Sequence, residues 1–204
     1  MSPTDNSLTW PLEAAQPSTN PIGSDEWLRR CLAGEEKAYA AVYRDYAAAV
    51  YRLSCGLLQN REDAEEVLQD TFEYAFRRLA VYDAGKSSFK SWLFQIAVSR
   101  CRNKRRRKWL PTFSLAQLLS ADEDVVDEVS VPPDEAATLS QEQQRVWQML
   151  QRLTPKLREV IVLRYYAGLG YAEIGTILGI PAKTAESRAR LAHKALRPLL
   201  EETP

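Results

Sequence analysis

The 204-residue sequence has few of the residues and segments that mark secreted, membrane-spanning or catalytic proteins. Its three cysteines, Cys31, Cys55 and Cys101, are an odd number at wide spacing without a CxxC pair, which favours reduced thiols in the cytoplasm. There is one histidine, no metal-ligand spacing and no uncharged apolar run of about 18 residues. No glycine-rich phosphate loop or nucleophile–base pair is found either. We therefore expect no catalytic residues, no metal, no cofactor, no enzyme activity and no membrane insertion.

The formal net charge of zero conceals a strong segregation of charge along the chain. Residues 84–108 contain 9 basic and no acidic residues, whereas residues 109–144 contain 8 acidic and no basic ones. Residues 145–204 return to an excess of positive charge, with 10 basic and 5 acidic residues. Two cationic regions separated by an acidic connector are typical of two polyanion-binding modules on a tether.

Apolar residues recur every three or four positions and no alternating strand pattern appears, so the predicted fold class is all-α. The predicted helices cover residues 25–33, 39–57, 61–80, 88–108, 141–153, 155–167, 171–178 and 181–201. Asn60, three residues before Asp63, and Thr154, directly before Pro155, are predicted helix caps. The pattern divides the chain into a disordered Pro-rich tail at 1–23, a helical domain at 24–108, an acidic flexible linker at 109–140 and a second helical domain at 141–204.

The most concentrated basic feature is residues 100–108, with seven positive side chains in nine positions. Favourable interaction with a helix C-terminus is worth only about 0.3–1 kcal/mol per cation, so a phosphate backbone is the better explanation. A solvated helix end stays an alternative, and Phe89 either packs in the core or meets an unstacked base. The candidate nucleic-acid contacts in this segment are Lys86, Phe89, Lys90, Arg100, Arg102, Asn103, Arg105 and Arg106.

Near the C-terminus, two predicted helices joined at Gly179–Ile180 have the form of a helix-turn-helix, whose second helix enters the DNA major groove. A generic helical hairpin is the alternative. Glu186 either accepts a hydrogen bond from a cytosine amine or faces away from DNA. The candidate DNA contacts on this helix are Lys183, Thr184, Glu186, Ser187, Arg188, Arg190 and Lys194.

The predicted helix at 61–80 has an acidic face made by Asp63, Glu66 and Asp70, with Gln69 beside them. Acidic residues near a helix N-terminus complement its dipole, which is a sufficient structural explanation. If this face has a function, it binds protein, because it repels DNA.

Two groups of motifs resemble the sigma-70 family of RNA polymerase sigma factors. DAEEVLQDTF at 63–72 and SFKSWLFQIA at 88–97 resemble region two; LTP at 153–155, REV at 158–160, YAEI at 171–174 and TAESR at 184–188 resemble region four. The short two-region form is similar to the extracytoplasmic-function group. Glu186 departs from the family's usual Lys or Arg, and Gly170 and Gly175 replace a more usual Ser and Ala; Gly175 is expected to cost about 1 kcal/mol inside a helix.

The resemblance implies a fold and a set of partners. The first domain would dock on the clamp helices of the largest polymerase subunit through Asp63, Glu66, Gln69, Asp70 and Phe72, and would open promoter DNA at the minus-ten element. The second would read the minus-thirty-five element and touch the flap of the second-largest subunit. An anti-sigma factor and a stress or envelope signal are further implications. The alternatives are a stand-alone helix-turn-helix regulator and a thiol sensor.

Overall fold

The computed structural model describes residues 26–109 and 141–201, and within these ranges every regular element is helical. The elements are α1 (Glu26–Leu32), α2 (Glu36–Leu58), α3 (Arg61–Arg77), a 3₁₀ turn (Leu79–Val81), α4 (Phe89–Trp109), α5 (Gln141–Gln151), α6 (Pro155–Ile161), a π-helical turn (Val162–Tyr166), α7 (Tyr171–Leu178) and α8 (Ala182–Glu201). The all-α prediction is confirmed. The predicted tail, and the predicted linker apart from Trp109, lie outside the described residues.

Capping residues explain where several helices begin and end. Gly34, with a φ of 81°, follows α1 in the left-handed conformation that glycine adopts without strain. The Asn60 side chain accepts a hydrogen bond of 2.8 Å from the Asp63 amide, which confirms this predicted cap of α3. The prediction for Thr154 was wrong in one respect: Pro155 does begin α6, but the Thr154 hydroxyl is buried and makes no capping hydrogen bond.

Helices α1 to α4 form the first helical unit. Residues spaced along one face of α2, among them Leu53 and Leu57, pack against Val67 of α3 and Leu93 of α4, and all four are fully or almost fully buried. At one end of the unit, Trp27 of α1 lies 4.5 Å, centroid to centroid, from the ring of Phe89. The packing of these apolar faces holds α3 and α4 side by side, so the acidic and basic helices of the sequence are neighbours.

Helices α5 to α8 form the second helical unit, which contains the helix-turn-helix. Three alanines on one face of α8, Ala185, Ala189 and Ala192, are buried, so the opposite face is left to solvent. The turn between α7 and α8 is tight because Gly175 has no side chain: a Cβ there would lie 2.6 Å from the carbonyl oxygen of Ile180. The glycine therefore allows a close approach of backbone atoms in this chain, an effect that the predicted cost to the helix did not include.

The two units pack against each other, α4 on α7 and α2 on α6 and the π-helical turn. Gly56 of α2 permits a close approach, since a Cβ at this position would be 3.2 Å from both methyl carbons of Val162. The buried Arg158 guanidinium also donates a hydrogen bond of 3.4 Å to the Leu57 carbonyl of the first unit. The buried apolar residues of both units thus form one continuous core. None of the helices in the described ranges is both long and apolar enough to cross a membrane.

Candidate nucleic-acid interface

The exposed face of α8 carries the polar residues predicted to contact DNA. Lys183, Glu186, Arg190 and Lys194 have exposed side chains, and Thr184, Ser187 and Arg188 are half-buried. Residues 183, 186 and 190 are spaced so that they share one helix face. Glu186 therefore lies on the same exposed face as these cations. The buried alanine face fixes how α8 presents these side chains.

The basic end of α4 is partly neutralised inside the protein. Lys104 lies 3.5 Å from an oxygen of Asp63 and also pairs with Glu66, while Lys108 pairs with the second oxygen of Asp63. Acidic side chains of α3 thus neutralise part of the positive charge for which a phosphate backbone was the predicted partner. Arg106 has an exposed side chain and donates a hydrogen bond of 3.2 Å to Asn103.

Three further predicted contacts surround the start of α4. Lys86 is exposed and pairs with Asp83 at 3.1 Å. Lys90 is half-buried and donates a hydrogen bond of 3.1 Å to the Ala167 carbonyl of the second unit, and burial lowers its pKa. Phe89 is only 6% exposed. The proposal that Phe89 meets an unstacked base is therefore corrected: its ring fills a cluster of aromatic side chains, contributed by Trp27, Tyr46, Tyr82 and Trp92.

Arg100 lies on the side of α4 that faces α3. Its guanidinium carbon is 4.6 Å from the centroid of the Tyr74 ring, a cation–π arrangement. This contact leaves the guanidinium half-exposed beside α3.

The acidic face of α3 is divided between paired and exposed side chains. Asp63 is buried beneath its two lysine partners, and Glu66 is exposed but paired with Lys104. Gln69 and Asp70 are exposed. Phe72 is 3% exposed, with ring centroids 4.7 Å from Tyr43 and 5.5 Å from Phe76. The prediction that Phe72 touches a partner is corrected, because its ring supports this face from beneath.

Glu159 of α6 was not among the predicted contacts, yet it binds two of the arginines that were. Arg102 donates two hydrogen bonds to the Glu159 carboxylate, of 3.0 and 2.7 Å, and Arg105 lies 3.5 Å from one of its oxygens. The hydrogen bonds that Arg102 donates to Glu159 are the main reason that the pKa of Arg102 is raised. No local signal identifies such a pair, because its members belong to different units.

Two of the three cysteines and the single histidine have side chains that are held within the fold. Cys31 and Cys101 are buried, and burial raises the pKa of both thiols, that of Cys101 to about 12. Such thiols are poor nucleophiles near neutral pH. His193 is half-buried, and one of its ring nitrogens is hydrogen-bonded to the Tyr165 hydroxyl at 2.7 Å. No cluster of potential metal ligands occurs within 26–109 and 141–201.

Comparisons with known proteins agree with the two-unit arrangement. Residues 42–110 match the family description "Sigma-70 region 2", and residues 143–196 match "Sigma-70, region 4". An ECF RNA polymerase sigma factor, SigK of Mycolicibacterium vanbaalenii, is 34% identical over 86% of this chain and 88% of its own length. RNA polymerase sigma factor NccH of Alcaligenes xylosoxydans xylosoxydans is 28% identical over 91% of this chain and 98% of its own.

A solved structure of CnrH in complex with the cytosolic domain of CnrY has a similar fold. It is 24% identical in sequence and superposes with a TM-score of 0.63, covering 89% of this chain and 99% of CnrH. The overall fold is therefore shared over almost the whole of that chain.

Proposed function

The chain belongs to the ECF group of sigma-70 family RNA polymerase sigma factors, and from this membership we propose how its two helical units divide promoter recognition. Sigma factors direct transcription initiation and have no enzymatic activity of their own. The observation that carries the proposal is that each family match falls on a unit presenting a cationic helix, α4 in the first and α8 in the second. The alternative of a stand-alone regulator is not favoured, because it does not account for the match of residues 42–110 to region 2.

We assign minus-thirty-five recognition to the exposed face of α8. Arg188 and Lys183 are suited to guanine edges, and Thr184 and Ser187 to phosphate oxygens. We assign minus-ten opening to the basic segment 84–108, where Arg100, Asn103 and Arg106 would lie nearest the DNA backbone. Lys86, Lys90, Arg102 and Arg105 complete that set. Phe89 is left out, since its ring is part of the core.

Docking to core polymerase is proposed for the face of α3, with Gln69 and Asp70 as the direct contacts because both are exposed. Asp63 and Glu66 would act at the same face while paired with α4. The domain limits proposed for this division are 24–108 and 141–204, with the acidic linker between them. The site of action would be the cytoplasm, where core polymerase is found.

An anti-sigma factor is proposed as a further partner. CnrH is a structural neighbour that was solved with the cytosolic domain of CnrY. A comparable inhibitor of this chain would cover its polymerase-binding face, and a stress or envelope signal would release it.

The experiment is in vitro transcription with purified chain and core polymerase on genomic fragments, with start-site mapping. We expect specific starts that require the chain. Asp70→Ala should weaken core binding, whereas the matched variant Glu62→Ala, also exposed on α3, should bind core normally. Arg188→Ala should leave core binding intact and reduce initiation. Core binding without specific starts, or a palindromic site bound tightly by the chain alone, would contradict the proposal.

A further inference from the structure

One acidic side chain of the second unit is inserted against the proposed DNA-binding helix of the first. The Glu159 side chain is 3% exposed, and both of its carboxylate oxygens face α4. Arg102 binds this carboxylate in a bidentate manner, with nitrogen–oxygen distances of 3.0 and 2.7 Å. A guanidinium nitrogen of Arg105 lies 3.5 Å from one of the same oxygens. The pair joins residues 57 positions apart in the sequence.

The geometry of this pair is one that a phosphate group also satisfies. A guanidinium presents parallel N–H donors that match either a carboxylate or a phosphate. A buried carboxylate loses its hydration and is stable only when its charge is compensated. Arg102 and Arg105 can therefore hold the Glu159 carboxylate or a DNA phosphate, but not both at once.

Two further contacts join the first unit to the second. Gly56 has no side chain, and this lets Val162 of the second unit pack closely against α2. A Cβ at position 56 would lie 3.2 Å from each methyl carbon of Val162, which is a crowded contact. At the start of α4, Lys90 donates its hydrogen bond to the Ala167 carbonyl. The second unit thus contacts α4 at Lys90, Arg102 and Arg105, and α2 at Gly56.

We propose that Glu159 occupies a phosphate-binding site formed by Arg102 and Arg105, so that the free chain is closed on itself and its first unit binds DNA only after the second unit has moved away. The inference rests on the proposed DNA-binding function of α4 and adds a ligand site and its internal competitor. The ligand is a backbone phosphate of promoter DNA. Core polymerase, by holding the two units apart, would exchange the internal carboxylate for that phosphate.

The direct test removes the competing charge. Glu159→Gln keeps the size of the side chain and abolishes its charge, and Glu36→Gln, at an exposed position in the first turn of α2, is the control with the same change in net charge. Binding of each full-length variant to a fluorescent mixed-sequence duplex is measured by anisotropy, without polymerase. If closed molecules outnumber open ones about ten to one, opening strengthens apparent affinity about tenfold. We expect that gain for Glu159→Gln, and a change within about twofold for Glu36→Gln.

A second variant opens the interface without altering any charge. Gly56→Leu places a side chain against Val162 while favouring the α2 helix, so it should separate the units and strengthen DNA binding in the same way. Small-angle X-ray scattering should report a larger radius of gyration for Gly56→Leu and Glu159→Gln than for wild type. Adding Arg102→Ala to Glu159→Gln should remove the gain in affinity, because the phosphate site itself is then incomplete.

The two proposals fail in distinguishable ways. If wild-type protein initiates with core polymerase, yet folded Glu159→Gln and Gly56→Leu bind DNA and scatter like Glu36→Gln, the self-closure is refuted and the sigma function stands. If Arg102→Ala leaves the gain unchanged, the phosphate site is refuted. Absence of polymerase-dependent initiation by wild type instead contradicts the function from which the inference starts.

Discussion

Replacing Gly175 by alanine tests whether the turn of the helix-turn-helix depends on the absence of a side chain. In a free helix this exchange stabilises by about 1 kcal/mol. Here the added Cβ would lie 2.6 Å from the Ile180 carbonyl oxygen and 3.2 Å from the Ala182 amide nitrogen. Both are backbone atoms at the junction of α7 and α8, so neither can rotate away as the end of a side chain would.

The magnitude follows from the balance of these two effects. Overpacking at a tightly packed site costs about 1–3 kcal/mol, and here the displaced atoms belong to backbone. Because backbone atoms yield less than side chains, we expect a cost in the upper part of this range, about 2–3 kcal/mol. Subtracting the gain of about 1 kcal/mol in helix propensity leaves Gly175→Ala destabilising by about 1–2 kcal/mol. For a protein of this size that corresponds to a melting temperature lower by about 2–8 °C.

The assay is thermal unfolding of the full chain followed by far-ultraviolet circular dichroism. Thr176→Ala, the neighbouring position on the exposed side of α7, is the matched control and should melt at or slightly above the wild-type temperature. A Gly175→Ala protein that melts at or above wild type would refute the close-approach argument. It would also restore the simpler view that this glycine only weakens its helix.

Two other predictions concern the cap of α3 and the titration of His193. Asn60→Ala removes the hydrogen bond from the Asp63 amide and should lower the free energy of unfolding by about 1 kcal/mol in urea titrations. Thr154→Val removes a buried hydroxyl that has no hydrogen-bond partner, so it should cause no loss of stability. Equal losses for the two variants would contradict the assignment of the caps. Burial lowers the pKa of His193 below its ordinary value of 6.5, so the unfolded chain binds the proton more readily. Stability should therefore be complete above about pH 6.5 and decline as the pH falls below it, and His193→Gln, which removes the only histidine, should abolish this part of the pH dependence.

The helices were largely predictable because each carries its own apolar periodicity and stop signals. Asn60 and Gly34 act through local geometry, and both have the roles that their residue types predict. The helix predicted over 155–167 is only partly correct, since a π-helical turn at Val162–Tyr166 replaces its second half. A periodicity of 3.6 residues does not distinguish that turn from a continuous helix.

The side chains of the candidate site were less predictable because their partners are distant in sequence. Phe89 and Phe72 stand among charged residues, yet rings from other helices bury both. Burial of Glu159 depends on Arg102, across the acidic connector. Charge composition correctly located the basic and acidic helices, but it contains no information on which charges neutralise each other.

The lysine–carboxylate pairs between α3 and α4 have a practical consequence for genetics. Because Asp63 and Glu66 share Lys104, a substitution at either acid alters the charge presented by the neighbouring basic helix as well. Under the proposed division of function, a transcription defect in such a mutant would have two physical origins, one at the proposed polymerase-binding face of α3 and one at the proposed DNA-binding helix α4. Substitutions at Gln69 and Asp70, which stand clear of those lysine pairs, separate the two origins.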